Sequence, residues 1–376
     1  MRIGIPREIR PDETRVAATP DVVRRYVERG AEVAVEAGAG ERATFDDASY
    51  CAAGAEVASG DVIWSSAVVL KVQPPTPEEA TRLAPGATLV SFLYPESNPE
   101  TVAALERAGV NALAMESVPR IARAQKMDAL SSMANLAGYK AVLEAANAFG
   151  RFFPLLMTAA GTIPPAHVLV IGAGVAGLSA IVTARRLGAV VRAFDPRPAV
   201  REQVQSLGAR FLDLELEAGE TVGGYATAQS EEFLEIERRL LAAQMNEVDV
   251  VITTALIRGQ PAPVLITDKM LRAMKPGSII VDLAVEQGGN CEASRPDEVV
   301  HVHGATVIGW TNFPARMPVH ASTLYSRNVQ HLVHHLWGEA GLSFDFDDEI
   351  VAGTVVLHAG QRRRSDEPVA AGGQGA

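Results

Sequence analysis

The chain has 376 residues, 48% of them apolar and 21% charged, with a formal net charge of −11. That balance excludes a disordered chain, and an acidic excess without any basic stripe argues against a nucleic-acid partner. The two cysteines, Cys51 and Cys291, are too few for a disulfide framework and too far apart for a metal knuckle, so a reducing cytoplasm is expected. The length suits about two or three domains. The start, Met1-Arg2-Ile3-Gly4-Ile5-Pro6, reads as a strand entering a turn and lacks the apolar region of an export signal.

Apolar runs at Ile3–Ile5, Val33–Val35, Val68–Val72, Thr88–Phe92 and Ala112–Met115 alternate with helical patterns at Asp21–Arg29, Pro77–Leu83 and Pro99–Ala108. Short continuous apolar runs between amphipathic helices predict a parallel sheet covered on both faces. Thr19-Pro20-Asp21 and Ser97-Asn98-Pro99-Glu100 place a polar cap before a helix-starting proline. The turn Gly38-Ala39-Gly40 opens no long apolar helix and reads as a loop.

Residues 118–140 concentrate polar side chains: Arg120, Gln125, Asp128 and Ser131 can converge on one small polar ligand. Asp128 to Ser132 also reads as an ordinary helix cap after a loop. A long Ala/Leu-rich helix over Met133–Phe152 then acts as a connector.

The strand-like Val168-Leu169-Val170-Ile171 delivers Gly172, Gly174 and Gly177 to a turn, and an apolar helix pattern follows. Missing side chains there let a backbone approach a pyrophosphate at a helix N-terminus. Asp195, at the end of the run Val190–Phe194, stands where a carboxylate accepts hydrogen bonds from the adenosine ribose hydroxyls. A 2′-phosphate would meet that charge, which favours NAD(H) over NADP(H), although Arg197 keeps the exclusion incomplete. The stretch Val168–Ala184 is apolar, but its glycines and its fit to a nucleotide fold make a membrane helix the poorer reading.

Helices over Ala199–Leu207 and Glu231–Met245 flank a glycine-bearing stretch, Glu217–Ser230. Strands at Val248–Thr253 and Ser278–Asp282, with His301-Val302-His303 and Thr306–Gly309, complete a second sheet, and Ala321–Leu336 returns the chain to the first domain. The tail from Arg362 reads as mobile. The expected fold is therefore α/β: two Rossmann-like doubly wound parallel-sheet domains flanking a nucleotide cleft. Residues 1–132 plus 316–376 make the N-terminal domain, and 133–315 the NAD-binding one. Nucleotides sit beyond the carboxyl ends of strands, so the nicotinamide is expected to point from the second domain towards the first. His301 and His303 share a strand face, and His331, His334 and His335 have helical spacing. No carboxylate or cysteine completes a set, so no metal is expected. Trp64, Trp310 and Trp337 read as packing anchors.

The motif Arg-x-x-Arg-Ala-Gln-x-Met-Asp-Ala-Leu-Ser-Ser from Arg120 closely resembles the NAD(H)-binding subunit, domain I, of proton-translocating nicotinamide nucleotide transhydrogenase. GAGVAG (172–177), TTALIRGQPAPVLIT (253–267), MKPGSIIVDLAVEQGGN (274–290) and the terminal GQGA extend the resemblance over essentially the whole chain. It implies that Arg120, Gln125, Asp128 and Ser131 surround the dihydronicotinamide and position it. Ile121, Ala122, Arg123, Lys126 and Met127 come with the same motif. It likewise places Val175 at the pyrophosphate turn, Asp195, Pro196 and Arg197 at the adenosine ribose, and Leu256 near the cofactor. The stretch Thr221–Ala226 resembles the family's mobile loop, with Tyr225 folding over the nucleotide and Gly224 at the hinge; a plain surface loop is the alternative. Hydride passes directly between NADH and NADP⁺, so no general acid, base or covalent nucleophile is implied, and positioning supplies up to ~10 kcal/mol. The resemblance implies a homodimer, an NADP(H)-binding subunit and a membrane-embedded proton-translocating subunit. It places the chain at the cytoplasmic face of the membrane with no insertion of its own.

Alanine dehydrogenase, of the same superfamily, shares the N-terminal pattern and the glycine turn. It would use Arg15, Lys71 and a histidine in LVSFLYPESN, where this chain has Tyr94. Residues 1–166 contain no histidine, so the first domain lacks the imidazole that imino-acid reduction needs. Arg15 and Lys71 then read as a surface or interdomain ion pair.

Overall fold

The computed structural model describes residues 1–214, 231–256, 260–339 and 341–363. The chain divides into two compact units, Met1–Met133 with Met317–Ala376, and Ala134–Arg316.

The first unit is built on an eight-stranded sheet. Its order is Gln361–Arg362, Val355–His358, Asn111–Ala114, Thr88–Ser91, Val68–Leu70, Arg2–Ile5, Glu32–Glu36 and Glu56–Ala58. The six strands from Asn111–Ala114 onward pair in parallel, and the last two segments of the chain add antiparallel strands at the other edge. The chain lays its first three strands outward, then returns to set Val68–Leu70 against Arg2–Ile5. That reversal makes a crevice at the carboxyl ends of these two strands. The inner strands are buried on both faces, as their unbroken apolar runs require. Helix Pro20–Glu28 starts on proline and buries Val22, Val23 and Tyr26. Helix Pro99–Ala108 also starts on proline and stops at Gly109, whose φ of 68° suits glycine.

Three differences from the sequence reading have one cause. Strand Glu56–Ala58 and helices Asp47–Ala52 and Gly60–Trp64 were not expected, and the helix at Pro77 ends at Ala80 instead of Leu83. Elements this short carry too few residues to display a period. Arg362, expected in a mobile tail, lies in a strand, while residues 364–376 fall outside the described residues.

In the second unit the sheet order is Arg210–Phe211, Val190–Phe194, His167–Ile171, Val250–Thr253, Ile279–Asp282, Ala305–Ile308 and Val299–Val302. All pairs are parallel except the last, an antiparallel edge. The same outward-and-return path puts the reversal between His167–Ile171 and Val250–Thr253. The connector helix runs Ala129–Ala148, about one turn earlier at each end than expected. At Gly138 it meets helix Val175–Arg186 so closely that a Cβ would lie 1.9 Å from the carbonyl oxygen of Ala176. A short hairpin, Leu156–Thr158 with Gly161–Ile163, pairs only with itself.

Arg15 and Lys71 are neither surface nor interdomain groups. Both are buried inside the first unit, 4% and 1% exposed, at the carboxyl end of its reversal. The Arg15 guanidinium donates to both carboxylate oxygens of Glu13 at 2.7 and 2.6 Å, and Lys71 sits 3.2 Å from both Glu8 and Glu79. Burial acts to lower the lysine pKa, and the two carboxylates outweigh it and hold the ammonium charged. Burial raises the Glu8 carboxyl despite Lys71. The chain's own acids thus already occupy both cations. Lys71→Met should cost about 3–5 kcal/mol in urea unfolding, because it strands two buried carboxyls without a counter-charge; a loss below about 1 kcal/mol would show that the lysine is dispensable to the fold.

Candidate functional site

Strand His167–Ile171 ends against Gly172, whose φ is 92°. A Cβ there would lie 2.5 Å from Thr254 Oγ1, and one on Gly177 would lie 1.8 Å from the carbonyl oxygen of Gly172. Both positions therefore need glycine for packing. Gly174 differs: it is the N-cap of helix Val175–Arg186, and a Cβ on it would meet no protein atom within 4 Å. Open space thus faces a helix N-terminus whose first N–H groups have no partner within the helix, an arrangement suited to an anion. Val175, beside it, is 40% exposed.

Asp195 is 5% exposed at the end of strand Val190–Phe194. The N–H of Ala173, inside the glycine turn, donates to its Oδ2 at 2.7 Å. Arg197 donates three times: from its N–H and Nε to Oδ1 and from Nη2 to Oδ2, each at 2.9 Å. Burial alone would raise this carboxyl, but the bonds from Arg197 and Ala173 outweigh it and hold it below the usual carboxylate range. Pro196 and Arg197 are exposed. The turn and the acid are thus one connected unit.

Sequence reasoning gave no role to the residues that frame the other side of this crevice. Thr254 Oγ1 donates to the carbonyl oxygen of Gly172 at 3.1 Å. Asn290, fully buried, accepts from the N–H of Ala255 at 3.0 Å and donates to the carbonyls of Ala255 and Pro263. Asp282, also fully buried, accepts from Thr253 Oγ1, Ser294 Oγ and the N–H groups of Ala284, Asn290 and Cys291. Together they fix the backbone leading to Leu256, which is 48% exposed. Their partners lie up to 35 residues away in sequence, so local spacing carried no signal. Gly224 and Tyr225 lie outside the described residues.

In the first unit, Ala122–Met127 forms a 3₁₀ turn, and Asp128 heads the connector helix. Asp128 accepts from the N–H of Ser131 at 2.8 Å and from its hydroxyl at 2.6 Å. The cap reading is therefore realised, and it locks these two side chains together. Arg120, Gln125 and Lys126 are exposed on the same segment, and Met127 is buried. Arg123 pairs with Asp348 at 3.0 Å, and the Lys126 carbonyl accepts from Asn328 at 2.9 Å, so the returning C-terminal segment holds the turn in place. Ile121 and Ala122 complete it.

The histidines do not assemble. His301 bonds Thr306 at 3.0 Å on its strand, whereas His303 lies past the strand end at φ 49° and bonds Asp268 at 2.6 Å, so the two share no face. His335 bonds Asp348 at 2.9 Å. Among the described residues no group of three or more His, Cys, Asp or Glu is arranged to hold a metal ion, and no helix is long and apolar enough to cross a membrane. Tyr94 is 41% exposed and stacks on Phe92 at 5.7 Å. A hollow of about 670 Å³ lined by Phe149, Phe152, Ile163 and His167 lies at the amino ends of the second sheet, the wrong end for a ligand of this fold.

Both halves of the chain match alanine dehydrogenase/PNT family models, the N-terminal domain over residues 4–137 and the C-terminal domain over 141–365. NAD(P) transhydrogenase subunit alpha of Haemophilus influenzae is 50% identical over 365 residues, covering 96% of this chain and 71% of that protein. The separately encoded first segment of NAD(P) transhydrogenase subunit alpha from Rhodospirillum rubrum is 49% identical over 372 residues, covering 96% of this chain and 97% of the relative. The crystal structure of transhydrogenase from Sinorhizobium meliloti superposes with a TM-score of 0.89 at 43% identity, over 96% of this chain and all of that one.

Two outcomes test the turn. Gly177→Ala should lower stability by about 1–3 kcal/mol, since backbone must move, while Gly174→Ala should change it by less than about 1 kcal/mol; equal losses in thermal unfolding would refute the division of roles. The stability contributed by Asp195, whose pKa is depressed, is present above the ordinary carboxylate range and lost as pH falls through its folded value. Asp195→Asn should therefore flatten the acid limb of the stability–pH curve, and an unchanged limb would remove the Arg197 pairing from the account.

Proposed function

Because the chain belongs to the alanine dehydrogenase/PNT family over both of its domains, we propose that it is the NAD(H)-binding subunit of a proton-translocating transhydrogenase. It passes hydride between NAD(H) and NADP(H) held on a partner subunit. The observation that carries this reading is the cradle at Gly174: open space before a helix N-terminus, tied through the Ala173 N–H to a buried acid at the neighbouring strand end. A dinucleotide needs both, one for its pyrophosphate and one for its adenosine ribose.

In this reading the N–H groups at Gly174 and Val175 hold the pyrophosphate. Asp195 accepts the ribose hydroxyls, with Arg197 turning aside from the carboxylate and Pro196 and Leu256 bordering the nucleotide. Bound NADH supplies the hydride. Gln125, Arg120 and the coupled pair Asp128–Ser131 orient the dihydronicotinamide, with Ile121, Ala122, Arg123, Lys126 and Met127 forming the turn that presents them. No side chain is asked to move a proton, which agrees with a first domain that has Tyr94 where an amino-acid dehydrogenase would carry histidine. The chain acts as a homodimer docked on a membrane-embedded proton-translocating subunit at the cytoplasmic face.

The test is NADH oxidation by NADP⁺ with and without an NADP(H)-binding partner subunit, beside a control with pyruvate and ammonia. Turnover is expected only with the partner. Consumption of NADH with pyruvate and ammonia, or no turnover with the partner, would refute the reading. Asp128→Asn and Gln125→Asn should each slow transfer by about tenfold or more with less than about threefold change in NADH affinity, because misorientation costs rate more than binding.

A further inference from the structure

Helix Glu231–Ala242 is amphipathic, and its inward residues are Phe233, Glu237 and Leu241, one turn apart. Two of the three are what a core face requires. The third is a carboxylate only 5% exposed, and acids are seldom buried so deeply without a reason. The helix precedes strand Val250–Thr253 in a parallel sheet, so it runs antiparallel to the strands and its first turns lie level with their carboxyl ends. Leu241 packs in one cluster with Phe194 and Leu212, while Leu234 and Leu240 lie against it. Phe194 is the residue before Asp195. Glu237, one turn closer than Leu241 to the carboxyl end, therefore faces the level at which Asp195 stands.

Resting on the NAD(H) reading above, we propose that Glu237 is a second acidic residue of the adenosine-ribose site, standing behind Asp195 and excluding a 2′-phosphate. Asp195 alone is a weak guard, because the Arg197 guanidinium bonds both of its oxygens and offers an approaching phosphate a cation. A second carboxylate in the same low-dielectric region restores the negative field without touching the ribose hydroxyls, so it acts on NADP(H) far more than on NAD(H). The charged groups that bear on Glu237 are Asp195, from the strand end, and Arg238, from its own helix. Arg238 is turned towards Glu231, Glu235 and the Val264 carbonyl, which limits its compensation. Burial first, and the charge of Asp195 second, push the Glu237 carboxyl up to about 7. Its charge, and with it the added exclusion, therefore grows as pH rises through neutrality.

The experiment measures the dissociation constants of NADH and NADPH for the wild-type chain and for Glu237→Gln, at about pH 6 and about pH 8.5. The phosphate's own ionisation is common to both proteins, so their difference isolates Glu237. At the higher pH the variant should bind NADPH about tenfold more tightly relative to NADH than wild type does, and at the lower pH the two ratios should agree within about twofold. Glu237→Asp should keep the wild-type ratio. Glu237→Met, apolar like Phe233 and Leu241, serves as the second neutral variant if the glutamine disturbs folding. An unchanged ratio at about pH 8.5 in both neutral variants, with NADH still bound, overturns this proposal alone. Failure of the wild type to bind NADH overturns the NAD(H) reading and this proposal with it.

Discussion

The second unit depends on a crossing with no spare room. The carbonyl oxygen of Gly172 lies where a Cβ at position 177 would fall, and the carbonyl oxygen of Ala176 lies where one at position 138 would fall. Three backbones, those of the strand end, the nucleotide-side helix and the connector helix, are thereby held at distances that only glycine permits. The consequence is directional. Helix Val175–Arg186 must point its N-terminus at the open space beside Gly174, and Ala173 must present its N–H to Asp195. A site for a dinucleotide follows from packing before any ligand is considered.

Charge is handled by the same economy in both units. Arg15 and Lys71 sit in the crevice of the first sheet with Glu13, Glu8 and Glu79 already upon them. Asp195 sits in the crevice of the second beside Arg197, a partly exposed arginine that can move away. The first arrangement is closed and structural; the second is a carboxylate whose protein partner is replaceable by hydroxyl groups. That contrast explains how two sheets with the same outward-and-return path come to differ in use, and it leaves the segment Arg120–Ser131 as the polar feature of the first unit open to a ligand.

Much of this was legible in the sequence because the decisive features are local. Val168–Ile171, the three glycines and Asp195 fall within one βαβ stretch, and the long apolar runs of both sheets announce parallel, doubly covered strands. The cap at Asp128–Ser131 was visible as spacing. What escaped was either too short or too distant. Glu56–Ala58 and Gly60–Trp64 are too brief to show a period, and the burial of Arg15 with Glu13 depends on how a whole sheet closes over them. Thr254, Asp282 and Asn290 act across intervals that no local pattern encodes. Glu237 looked like one more acid in a charged helix, and only its place between Phe233 and Leu241 on the inward face reveals it.

The central claim is that the chain positions a reduced coenzyme and contributes no proton chemistry of its own. Turnover with NADH deuterated at C4 on both faces, in ordinary water with NADP⁺ on the partner subunit, tests it most directly. Direct transfer places one deuterium in every NADPH formed; hydrogen from solvent at that carbon would contradict the account.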